Sequence, residues 1–107
     1  MNRKEALKTI ADYRRQIDEV DRKLVRLLNE RTRIVEQLGR VKEQLQMPIY
    51  EPRREDEVFR NIQHSNHGPL PPDALKRLFE RIVDEMRTLQ RMNRESRNRE
   101  DGAGGES

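Results

Sequence analysis

From Arg3 to Gln46 the chain contains no proline and a single glycine, Gly39, and its apolar residues recur with a helical period. Between Ile17 and Leu45, Ile17, Val20, Leu24, Leu27, Ile34, Leu38, Val41 and Leu45 follow alternating steps of three and four when position 31 is counted in the series, with Leu28 and Val35 beside them, which gathers them into one stripe. The spacing predicts one helix from about Arg3 to Gln46, stopping before Pro48. At 1.5 Å per residue such a helix is roughly 60 Å long, whereas a compact globule of this chain length has a radius of gyration of about 13 Å. The stripe outruns what the rest of the chain can cover, so a second chain must cover the remainder. A two-fold homodimer in which the long helices pack together and the shorter ones close over them is the expected arrangement.

Two cations interrupt the stripe. In a heptad reading Ile17, Leu24, Arg31, Leu38 and Leu45 share one core position, and Leu28, Val35 and Lys42 share the other. A buried charge without a partner costs several kcal/mol, so an anion must meet Arg31 and Lys42, and a ligand is the reading adopted. They are separated by about 16 Å along one face, so both can reach the ends of one small polyanion. Arg14 lies about 25 Å further back, and joins them only from the other subunit of an antiparallel dimer.

The rest of the chain reads as two more helices, giving an all-α, three-helix fold. Pro48 and Pro52 bracket a short extended loop, Met47 to Pro52, and a second helix follows from Arg53 to about Ser65 with Val58, Phe59 and Ile62 inward. The Asn66-His67-Gly68-Pro69 cluster ends it, and Pro71-Pro72-Asp73 suits the first turn of a third helix. Leu75, Leu78, Phe79, Ile82, Val83, Met86, Leu89 and Met92 carry that helix, and the pattern fades after Asn93. Residues 97–107 hold three glycines and nothing apolar larger than Ala103, so a disordered tail is expected after a helical domain over 1–96. The Gly-rich end reads as a natural terminus rather than a linker.

Composition narrows the function classes. With 107 residues, no Cys, no Trp and 40% charged residues, the core must come from aliphatic helix faces and no disulfide framework exists. No apolar run approaches the roughly 18 residues of a membrane span, and Met1 to Glu5 lacks the apolar stretch of a secretory signal, so the cytoplasm is expected. A net charge of +3 from 23 basic and 20 acidic residues, interleaved throughout, argues against a nucleic-acid binder with one basic face. His64 and His67 stand beside the helix-ending Gly-Pro without a clear third ligand, so no metal is assigned.

Tyr13-Arg14-Arg15-Gln16-Ile17-Asp18-Glu19-Val20-Asp21, followed by Leu24, Leu27, Leu28, Glu30, Arg31, Gly39 and Lys42, resembles the opening of the all-helical (AroQ-type) chorismate mutases. Glu51-Pro52-Arg53-Arg54-Glu55 resembles that family's acidic-x-x-Arg-Glu segment, and Leu78-Phe79 with Ile82 and Gln90 resembles its third helix; the similarity covers about residues 8 to 93. The resemblance implies an intertwined homodimer with two equivalent sites, no cofactor, and conversion of chorismate to prephenate on the path to Phe and Tyr. Docking on another enzyme of the shikimate pathway stays open, since relatives occur both free and fused. Two departures stand out: Met86 occupies a position where some relatives place a carboxylate-binding Ser, and Glu51 one where Asp is common.

The residue types suit that reaction. Chorismate is a dianion whose rearrangement is a unimolecular pericyclic step, so the protein need only hold a compact conformer and stabilise charge on the breaking ether oxygen. Arg31 of one chain and Arg14 of the other are the expected carboxylate clamps, because a guanidinium binds carboxylates bidentately and stays charged when desolvated. Lys42 and Gln90 are expected at the ether oxygen, and Glu55 at the ring hydroxyl. Glu51 is expected to help from the loop, with Arg54 as a second cation near the ring. Taken singly, each has a plainer reading: an Arg or Lys on a stripe often snorkels or pairs with a Glu, and Glu51 and Arg54 can equally form local pairs. Two other functions compete, an isochorismate pyruvate lyase on the same scaffold and a non-enzymatic helical interaction module.

Overall fold

The computed structural model describes residues 1–105, with side chains described as far as Glu100. It consists of three helices, α1 (Arg3–Gln44), α2 (Pro52–Ser65) and α3 (Pro72–Gly105), and no strand occurs among the described residues. The chain falls into two compact units, Met1–Ile34 and the segment from Val35 onward.

The first unit is the N-terminal part of α1. Asn2 caps it by accepting a hydrogen bond from the Glu5 backbone N–H at 2.8 Å, while its side-chain amide donates to the Glu5 carboxylate at 3.3 Å. The apolar stripe of this unit faces solvent in the single chain, with Leu24 51% and Leu27 60% exposed and Ile17 and Val20 similarly open.

The second unit holds the end of α1, all of α2 and α3, and the core. Pro48 disfavours helical geometry at Met47, and α1 closes with Gln46 in the left-handed region at φ 57°. The Met47 N–H reaches the Lys42 carbonyl at 2.8 Å and the Gln46 N–H reaches that of Glu43 at 3.0 Å, which is a Schellman closure. This closure uses Leu45 and Gln46, so α1 ends two residues before the expected Gln46. Pro52 sits at the first position of α2, where its missing N–H would have had no partner, and α2 therefore starts one residue before the expected Arg53. Between α2 and α3 the side chain of Asn66 accepts from the Gly68 N–H and donates to the Leu70 carbonyl, and Gln63 donates to the Pro72 carbonyl.

α2 packs on α3. Val83 is 7% exposed and forms the centre of the apolar contact, with Val58, Phe59 and Ile62 of α2 and Leu75, Phe79, Ile82, Met86 and Leu89 of α3 half-buried. Most of the expected inward residues are inward, but Leu78 and Met92, expected on the face of the third helix, are 56% and 61% exposed in the single chain. α3 itself differs from expectation, because its backbone remains helical through Gly105 rather than giving way to a disordered tail at 97. Arg97 is held by Glu43, and Arg99 and Glu95 stand one turn apart at 3.9 Å, so this polar stretch has helical partners without apolar ones. Glu106 and Ser107, the end of that expected tail, lie outside the described residues.

Candidate active site

Lys42 carries the site. It lies in the last turn of α1 and is 5% exposed, so its ammonium must be met by acceptors. Two meet it from the α1–α2 loop: the Glu51 carboxylate at 2.7 Å and the Ile49 carbonyl, to which Nζ donates at 2.9 Å. The expectation that only a ligand would neutralise Lys42 therefore needs correction, because the chain supplies an anion of its own. Its reason is the prolines, which turn the loop back so that Glu51, at the N-cap position of α2, makes no side-chain cap bond and is used on Lys42 instead. An ammonium has three protons, so two acceptors leave one for another group.

Gln90 approaches from α3. A Cβ built on buried Gly39, one turn before Lys42 on α1, would lie 3.5 Å from Gln90 Cγ, so helix and amide meet where the backbone carries no side chain. The Oε1 of Gln90 is enclosed and has no hydrogen-bond partner. A buried amide that is not satisfied internally costs roughly 1–3 kcal/mol, which makes it a candidate for satisfaction by a bound molecule.

Glu55, in the first turn of α2, meets a residue that sequence reading did not single out. Arg87 Nε stands 3.1 Å from the Glu55 carboxylate, close enough for an ion pair but without the alignment of a hydrogen bond. The same guanidinium lies 5.0 Å above the Tyr50 ring, in the loop residue next to Glu51, and its other edge reaches Asp84 at 3.4 Å. Arg87 thus links the loop, α2 and α3. A signal for it existed in the register, since Val83, Arg87, Gln90, Arg94 and Arg97 follow one another at steps of four, three, four and three. That seam begins apolar against α2 and turns polar at Arg87.

The remaining expected residues lie elsewhere. Arg54 is 60% exposed and pairs with Glu57 one turn along α2 at 3.2 Å, so it does not join the cluster as placed. Arg14, exposed, and Arg31, half-buried, belong to the N-terminal unit. Among the described residues no group of three or more His, Cys, Asp or Glu is arranged to hold a metal ion, and no helix is long and apolar enough to cross a membrane.

The fold and this cluster define a class: an all-helical domain that encloses a buried ammonium and an amide oxygen without a hydrogen-bond partner. The profile of the chorismate mutase type II family matches residues 13–91, and the chain belongs to that family. It is similar to the bifunctional chorismate mutase/prephenate dehydratase of Aquifex aeolicus, at 30% identity over 79% of this chain and 25% of that protein. It is also similar to the chorismate mutase of Methanocaldococcus jannaschii, at 28% identity over 79% of this chain and 87% of that one. Among solved structures, the chorismate mutase of Thermus thermophilus in form II superposes with a TM-score of 0.76 at 35% identity, covering 78% of this chain and 94% of that chain. The chain spans about a quarter of the length of the Aquifex bifunctional relative.

Proposed function

We propose that the chain catalyses the Claisen rearrangement of chorismate to prephenate, in the biosynthesis of Phe and Tyr, as an intertwined homodimer in the cytoplasm. The observation that carries this reading is a buried Lys42 ammonium that has a proton to spare, with the Gln90 side chain set against Gly39 one turn before it, where Nε2 is the donor.

In the rearrangement the bond between the ring carbon and the ether oxygen breaks while a carbon–carbon bond forms from the enolpyruvyl methylene to the ring. Electron density gathers on the departing oxygen, so donors aimed there bind the transition state more tightly than the ground state. Lys42 and the Gln90 amide are those donors, one charged and one neutral. Lys42 is held by Glu51 and the Ile49 carbonyl before the substrate arrives, which avoids its reorganisation during the step. Arg31 and Arg14 of the partner subunit take the two carboxylates and select the compact conformer. Glu55, held by Arg87, accepts the ring hydroxyl proton in a hydrogen bond. Glu51 pairs with Lys42 and orients it, and Arg54 becomes a second cation near the ring by exchanging Glu57 for substrate.

The test follows chorismate loss by ultraviolet absorbance with product analysis. Wild type should yield prephenate, and Lys42→Ala should lower kcat/KM by a factor of ~10² to 10³, as removal of one preorganised donor does, with the helical circular dichroism retained. Release of salicylate and pyruvate from isochorismate, with no prephenate from chorismate, would reject the proposal in favour of a lyase.

A further inference from the structure

The family match ends at residue 91, yet α3 continues to Gly105 and places two arginines from that extension against the segment that positions Lys42. Arg94 Nη1 donates to the Met47 carbonyl at 3.1 Å. Arg97 Nε donates to Glu43 Oε2 at 2.5 Å, and both side chains of that pair are partly buried, where an ion pair is screened less than at the open surface. Each contact falls beside Lys42. Glu43 is its neighbour in α1, and the Met47 N–H closes on the Lys42 carbonyl at 2.8 Å. Two residues beyond Met47 lies the Ile49 carbonyl that receives the ammonium itself.

We propose that the α3 extension is a latch on the α1–α2 loop, in which Arg94 and Arg97 are positioning residues that fix the Lys42 ammonium through Met47 and Glu43. The reason is the nature of lysine. Its four-carbon stem is flexible and its ammonium is a point charge, so a fixed position has to come from the groups around it. Here those groups sit on a loop whose closure rests on Gln46, a non-glycine residue at φ 57°. Such a residue resists the left-handed region because of its Cβ, so contacts from outside the loop favour its closure. Arg94 grips it at the Met47 carbonyl, and Arg97 holds Glu43 in the last turn of α1 before it. Arg87 above Tyr50 holds the same loop nearer Glu51, so three arginines of one α3 seam engage the end of α1 and the loop after it.

This inference rests on the mutase reading for its catalytic consequence but not for its structural one, and the experiment separates the two. In the full-length chain, Arg94→Ala, Arg97→Ala and the double variant are compared with wild type by amide hydrogen exchange and by chorismate turnover. Amides of Leu45 to Glu51 should exchange at least ~10-fold faster in the double variant while the α2–α3 core amides keep their rates. kcat should fall by ~10-fold or more with KM changed less than ~3-fold, because a displaced donor is lost mainly in the transition state. Arg94→Lys, which can still donate to the Met47 carbonyl, should restore most of the loss. Unchanged loop exchange in both single variants overturns the latch, and so does wild-type kcat in a variant whose loop has loosened. Should wild type lack chorismate turnover, the mutase reading falls and loop exchange alone decides the latch. If the double variant unfolds, the single variants decide by the same measurements.

Discussion

Gly39 and Gln90 show how much a single position can carry. The glycine interrupts a helix where alanine would be worth about 0.5–1 kcal/mol more. A methyl group placed on Gly39 would meet Gln90 Cγ at 3.5 Å, an ordinary contact, so the folded chain has room for it. Gly39→Ala should therefore raise the unfolding free energy by about 0.5–1 kcal/mol in urea titration, and a loss of stability would mean that Gln90 or its surroundings had to move. Lys42 and Gln90 stood out in the sequence as anomalies of pattern, a charge on an apolar stripe and an amide on an inward face, whereas Glu51 and Glu55 were marked by the family resemblance. Arg87 was not. In a chain with 23 basic residues one more arginine carries no mark, and only the register it shares with Gln90 sets it apart.

At the scale of the element, the ends of the helices decide what the site contains. The Schellman closure of α1 and the proline start of α2 leave a loop short enough to return Glu51 and the Ile49 carbonyl to Lys42. Gln46→Gly should stabilise the fold by about 0.5–1 kcal/mol, since glycine adopts positive φ without the Cβ penalty, and thermal unfolding would register it as an upward shift in Tm. The opposite shift would mean that the Gln46 side chain contributes contacts of its own. Helix identity and phase were readable from periodicity. The end of α3 was not, because fading hydrophobicity signals a loss of apolar packing while Arg97 and Glu43 hold the helix by charge.

For the whole molecule, the deciding matter is what covers the N-terminal stripe. Residues such as Leu24 and Leu27 lie more than half exposed in the single chain, a large apolar area for a protein with 40% charged residues. A second copy is the proposed cover, which would also bring Arg14 to the partner's site. Sedimentation equilibrium should give twice the 12.9 kDa of one chain. Leu24→Asp should shift the mass toward one chain and abolish prephenate formation, because a charge buried at such an interface costs several kcal/mol. A wild-type mass of one chain with full turnover would contradict both the dimer and the shared site.

Periodicity and proline placement were enough to establish three helices and most of the α2–α3 contact face, since these are local consequences of side-chain order, and the family came from the order and spacing of its motifs. Tertiary structure alone decided which charges meet. Glu51 on Lys42, Arg87 on Glu55 and Arg97 on Glu43 join residues from different elements, and a choice among so many interleaved acids and bases depends on distances that appear only when the helices pack.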